Sequence, residues 1–135
     1  MAQSIFLNIP VKDLAKSMDF FTKLGFTFNM QFTDDTAACM IIGENIYSML
    51  LTEKKFREFT TKEITDTAKT AEMIIAISAE SNAKVDEMVT NAIKAGGTET
   101  GSPKDYGFMY QRSFQDLDGH LWEVLYMDVT KVPTQ

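Results

Sequence analysis

Two glycines placed to close amphipathic helices, Gly25 and Gly96, stand 71 residues apart in a chain of 135. The stretches around them repeat one order of elements. Such a duplication constrains architecture before any single residue is considered. In the first half, Ser4 to Val11 (SIFLNIPV) has the β-branched and aromatic content of a strand. Asp13 supplies an N-cap, and Leu14, Met18 and Phe21 recur at helical spacing up to Gly25. Alternation from Phe26 to Phe32 predicts a half-buried strand, and Ala37 to Ile42 predicts the next. Gly43-Glu44-Asn45 reads as a turn, and Ile46 to Thr52 as a further strand.

The charged segment from Lys54 to Lys69 reads as a connector containing a short helix, and then the order begins again. Glu72 to Ser78 is a predicted strand. Ser81 or Asn82 caps a helix with Val85, Met88, Val89, Ala92 and Ile93 on its apolar face, stopped at Gly96-Gly97. Strands follow over Thr98 to Ser102, Phe108 to Gln115 and, after a turn at Asp118-Gly119, Leu121 to Met127. Ile9 and Ile77 occupy corresponding places 68 residues apart. The expected fold class is therefore α+β, with two tandem βαβββ modules over about 1–53 and about 71–130. A connector over about 54–70 joins them, and the whole of 1–135 is expected to be a single domain. A helix must bury its stripe on one sheet face, leaving the other free to curve around a cavity. The expectation is a curved, open, barrel-like mixed sheet with its helices outside.

Composition narrows the partners. Hydrophobic residues make up 44% and charged ones 24%, the balance of a folded chain rather than a disordered one. A net charge of −6 without a basic patch disfavours binding to a phosphate backbone, so nucleic acid is not an expected partner. Cys39 is the only cysteine, and no intramolecular disulfide is open to it. The N-terminus lacks the basic start and apolar run of a secretory signal, and no apolar run approaches the roughly 20 residues of a membrane span. A cytoplasmic protein with no membrane partner is expected.

Two strings carry a resemblance. The first is Val11-x-Asp13-Leu14-x-x-Ser17-x-x-Phe20-Phe21-x-x-Leu24-Gly25-Phe26, and the second is Phe114-x-Asp116-x-Asp118-Gly119-His120-x-Trp122-Glu123. With the duplicated order, the chain resembles the glyoxalase / bleomycin-resistance / extradiol-dioxygenase superfamily, the vicinal oxygen chelate proteins. The resemblance implies a divalent metal held by four residues, one from the first and one from the last strand of each module. Laid over that pattern, the positions are Phe6, Leu50, Ile74 and Glu123. Three of these are hydrocarbons. Glu72, two residues ahead of Ile74, is the one other carboxylate near the third position. The acid–base tyrosine of the extradiol oxygenases falls at about Ser113, which cannot act as one. His120 is the only histidine, and strand alternation points it away from Glu123.

The expectation is thus a small-molecule binder of the bleomycin-resistance type with no metal and no cofactor. Phe6, Leu50 and Ile74 would wall an apolar cleft for an aromatic or apolar compound, and Asn8, Gln111, Ser113 and Glu123 would contact and orient it. Members of the superfamily are commonly homodimers, so a homodimer is expected. Two other readings stay open. One is a metal-dependent glyoxalase-like lyase or isomerase, or a dioxygenase, with ligands of another kind. The other is a protein-interaction module whose cleft is filled by its own side chains. Glu123 itself suits a ligand contact, a structural acceptor or a base. Arg112 suits an ion pair, Trp122 packing against the helix layer, and Cys39 a buried thiol. The strand methionines Met30, Met40, Met49 and Met109 suit either core filling or a pocket wall. Elemental analysis of the purified chain should find zinc, nickel, manganese and iron all well below one per chain; one stoichiometric ion would select the lyase or oxygenase reading.

Overall fold

The computed structural model describes residues 1–133, which divide into two compact units meeting at Asp66 and Thr67. In the first unit, β1 (Ile5–Val11) leads into α1 (Leu14–Lys23), followed by β2 (Thr27–Asn29), β3 (Ala37–Gly43), β4 (Ile46–Thr52) and a short α2 (Glu53–Phe56). The Asp13 side chain accepts the Lys16 amide at 3.1 Å, capping α1. Gly25 leaves the helix at φ 105°, in the left-handed region that favours glycine. The four strands lie in the order β1-β4-β3-β2, with β1 parallel to β4 and the other pairs antiparallel.

Register decides which residues share a face, since paired residues point to the same side. Ile9 pairs with Leu50, and Leu50 with Ala38; Met40 pairs with Ser48. All five are fully buried, and α1 packs on β3 and β4 through Leu14, Phe20 and Phe21. The Ser48 hydroxyl, buried among them, donates to the Leu7 carbonyl at 2.9 Å. Residues at Phe6, Asn8, Tyr47 and Met49 turn to the opposite face.

The expected strand over Phe26 to Phe32 is cut short. Its first three paired residues end at Asn29, whose side-chain oxygen accepts the Gln31 amide and turns Met30–Phe32 into a 3-10 segment. A short polar side chain here competes with the ladder and wins. The Thr33 hydroxyl then accepts the Cys39 amide at 3.1 Å. Cys39 is buried as expected, and burial pushes its thiol pKa up.

The second unit repeats the plan with β5 (Ile74–Ser78), α3 (Asn82–Lys94), β6 (Thr98–Glu99), β7 (Lys104–Asp105), β8 (Met109–Gln115) and β9 (Leu121–Met127). Its sheet runs β5-β9-β8-β6, with β7 also paired to β8, and β5 is parallel to β9. Ser81 caps α3 by accepting the Lys84 amide. Val85, Val89 and Ala92 are buried, whereas Ile93, expected on the apolar face, is exposed. The expected strand over Thr98 to Ser102 pairs only at Thr98 and Glu99. The chain turns at Gly101 (φ 71°) and re-enters the ladder at Lys104. Each sheet is an open ladder rather than a closed barrel, with helices on one face: two βαβββ-like modules in tandem.

Asp116 organises the turn between β8 and β9. Its Oδ1 accepts the amides of Asp118 at 2.9 Å and His120 at 3.0 Å, and its Oδ2 accepts the Trp122 indole N–H at 2.9 Å. Trp122, fully buried, lies parallel to Phe114 with ring centroids 6.2 Å apart. His120 is buried too, and its Nδ1 meets Glu72 Oε1 at 2.6 Å. Gly119 has φ 78°, and a Cβ there would stand 2.6 Å from the Thr67 hydroxyl oxygen. Only glycine fits.

Burial raises the Asp116 pKa above its ordinary 3.8, partly offset by His120 and by the Trp122 and backbone donors. A carboxyl whose folded pKa is raised favours folding fully below pH 3.8, and that share fades as pH rises through the folded value. Asp116→Ala should therefore cost about 2–4 kcal/mol in urea unfolding at pH 7, because it strands a buried indole donor and two turn amides. Asp116→Asn should cost less, and the wild-type advantage over it should shrink as pH rises from below 3.8. A loss under about 0.5 kcal/mol in the alanine variant would refute this role.

Candidate functional site

The two faces of the second sheet differ in kind. On the helix-covered face, Arg112 extends a fork to Glu99, with Nε to Oε2 and Nη2 to Oε1 both at 2.9 Å, while Nη1 reaches Asp86 at 3.0 Å. The Tyr110 hydroxyl donates to the same Asp86 oxygen at 2.7 Å. This donation, seconded by Arg112, holds the Asp86 carboxyl below its usual range and raises the Tyr110 phenol. The Glu99 fork, with Asp86 behind it, keeps the guanidinium firmly protonated. The cluster ties α3 and β6 to β8. Arg112 is a structural ion pair.

The uncovered face carries Ile74, Gln111, Ser113 and Glu123, four of the expected site residues, together. Register makes this plain: Ser113 and Ala76 flank Glu123 on either side, and Ile74 pairs with Leu121 two residues before Glu123. Ile74 is 58% exposed, large for an isoleucine in a strand. Gln111 is 9% exposed, and its amide nitrogen donates to Glu123 Oε2 at 2.7 Å. That bond positions the carboxylate. Trp122 points to the other face, as alternation predicts.

In the first unit the expected residues separate. Phe6, 53% exposed, stacks on Tyr47 with ring centroids 4.8 Å apart, and Asn8 is exposed on the same face. Leu50 is 0% exposed and belongs to the face under α1. The expectation that it walls a cleft with Phe6 is corrected: a one-residue difference in register carries a strand side chain across the sheet. The residue pairing with Asn8 is Met49, just as Glu123 pairs with Ala76 at the matching place in the second unit. The parallel register that reveals Met49 is a long-range pairing with no local sequence mark. Glu72 is corrected as well. It precedes β5 and is bound to His120, so it is engaged in holding the turn.

The metal implied by the superfamily does not fit these positions. Phe6, Met49 and Ile74 offer two hydrocarbons and one soft thioether, and only Glu123 offers the hard oxygen a divalent cation of this kind prefers. Among the described residues, no three His, Cys, Asp or Glu side chains gather closely enough to hold an ion.

A family model described as bleomycin resistance protein-like N-terminal matches residues 3–43. No curated protein matches the chain in sequence. Among solved structures, the hypothetical protein SA1046 from S. aureus is 30% identical, with a TM-score of 0.80 covering 93% of this chain and 95% of that one. A glyoxalase/bleomycin resistance protein/dioxygenase family enzyme from Burkholderia phytofirmans PsJN is 16% identical, at TM-score 0.77 over 90% and 96% of the two chains. A glyoxalase/bleomycin resistance protein/dioxygenase from Nocardioides is 21% identical, at TM-score 0.72 over 100% and 89%. With its duplicated βαβββ units and these structural likenesses, the chain has the fold of the glyoxalase/bleomycin-resistance/dioxygenase proteins, and its residues 3–43 match the bleomycin resistance protein-like N-terminal family.

Proposed function

We propose that the chain is a small-molecule-binding protein of the bleomycin-resistance type that works without a metal. The observation that carries this reading is the uncovered face of the second sheet, where exposed Ile74 adjoins a carboxylate held in place by a buried glutamine. Apolar surface beside a few fixed polar groups is the usual lining of a ligand site. Gln111, Ser113 and Glu123 would orient the compound and Ile74 would carry its apolar part. On the first unit's own open face, Phe6 and Asn8 would be ligand contacts, and residues 1–135 would act as one glyoxalase-like domain.

No helix among the described residues is long and apolar enough to cross a membrane. A cytoplasmic homodimer that does not engage nucleic acid is the assembly we propose. The charge of −6 supports the last point. Exposed Ile5, Phe6 and Ile46, on β1 at the sheet edge and on neighbouring β4, support self-association. Sedimentation at 10–100 μM should give twice the chain mass, and Phe6→Glu should shift it toward the monomer; a wild type that stays monomeric throughout would exclude the dimer.

A panel of planar aromatic compounds, read by protein NMR, should perturb the Ile74 methyl groups and the Gln111 side-chain amide. Glu123→Ala should weaken the best compound at least fivefold. Perturbations confined to other surfaces, or an unaltered Kd in the variant, would remove the site from this face.

A further inference from the structure

The hydrogen bond between Gln111 and Glu123 specifies what a ligand must bring. A carboxylate only accepts, so the Gln111 group facing it at 2.7 Å is the amide nitrogen, and the amide oxygen is the group left over. Glu123 Oε1 and Gln111 Oε1 have no hydrogen-bond partner among the described residues, and neither does the Ser113 hydroxyl. Yet none of the buried side-chain nitrogen or oxygen atoms described lacks a partner. The two acceptor oxygens must therefore reach the surface of the sheet. They sit on one face, fixed by the bond between their side chains and rimmed by the hydrocarbon of Ile74 and Leu121.

An acceptor pair of this kind selects donors. A ligand carboxylate or phosphate would meet like charge at Glu123, and a plain hydrocarbon would strip water from two oxygens without replacing it. The charge of −6 on the chain favours a cation further. Lys104 is the one nearby cation in the register, opposite Gln111 on its far side. It stands two strands over from β9 and in register with Leu125, two residues along from Glu123. It makes no ion pair with Glu123.

Resting on the binding reading above, we propose that the ligand of this face carries a cationic N–H donor group of the amidine type. That group is held by Glu123 Oε1 and Gln111 Oε1, with the flat apolar body of the ligand lying on Ile74 and Leu121. Planar amidinium groups present several N–H donors together with a positive charge, which suits two acceptors, one of them a carboxylate, carried by hydrogen-bonded side chains on one face.

Three probes of one size separate the possibilities: benzamidine, benzyl alcohol and benzoate, titrated by NMR into the full chain. Benzamidine should bind at least tenfold more tightly than benzyl alcohol, with benzoate weakest, and the preference should fall as salt rises from 50 to 500 mM. Glu123→Gln keeps shape and removes the charge, and should bring benzamidine and benzyl alcohol within twofold of each other. Gln111→Leu, which removes one of the two acceptors and frees the carboxylate to move, should lower benzamidine affinity severalfold while benzyl alcohol changes less. Equal affinities in the wild type, with shifts still at Ile74 and Gln111, would overturn the donor class and leave the binding face standing. If none of the three probes shifts either residue, the donor class and the binding face fall together.

Discussion

One buried carboxylate sets the geometry of the second unit. Asp116 accepts two amides of its own turn and the indole of Trp122, so a single side chain closes the β8–β9 connection and seats the largest ring of the core. Because β9 pairs with both β5 and β8, an error in that turn would pass to the whole sheet. It would also turn Glu123 to the helix side, since strand side chains alternate. The position of the candidate site is in this sense an outcome of the turn. His120 and Glu72 strengthen the same corner from the segment ahead of β5, and Gly119 lets Thr67 approach it.

The two faces of that sheet divide the polar chemistry. Under α3, Arg112, Glu99, Asp86 and Tyr110 bond to one another, and those bonds tie the helix and β6 to β8. On the other face the polar groups are few and only half used. Gln111 spends its nitrogen on Glu123, and both side chains keep an oxygen for something else. The bonds on the first face join helix to strand, whereas the bond on the second joins two strands only and steadies a carboxylate on the face without a helix.

Much of this was legible in the residues. Asp13 and Ser81 as caps, Gly25 and Gly96 as stops, and alternation around Trp122 and Glu123 are local signals, and local signals place elements and faces well. The duplicated order then gave the architecture. What escaped reading depended on contacts distant in sequence. Leu50 and Met49 are adjacent and both apolar, so only the register of β4 against β1 tells which one turns outward. Asn29 ended a strand that its neighbours favoured, because its own side chain reached the backbone two residues on. Glu72 looked like a spare ligand until the pairing with His120, 48 residues away, accounted for it.

The string from Phe114 to Glu123 made the chain recognisable, yet nearly every member of it serves the corner: a stacked ring pair, a hub carboxylate, a glycine with no room for a methyl, a pinned imidazole. Only its last letter faces outward. A descendant could therefore exchange every group that touches a bound molecule and keep this stretch almost intact, so likeness in it reports shared construction and says little about shared chemistry.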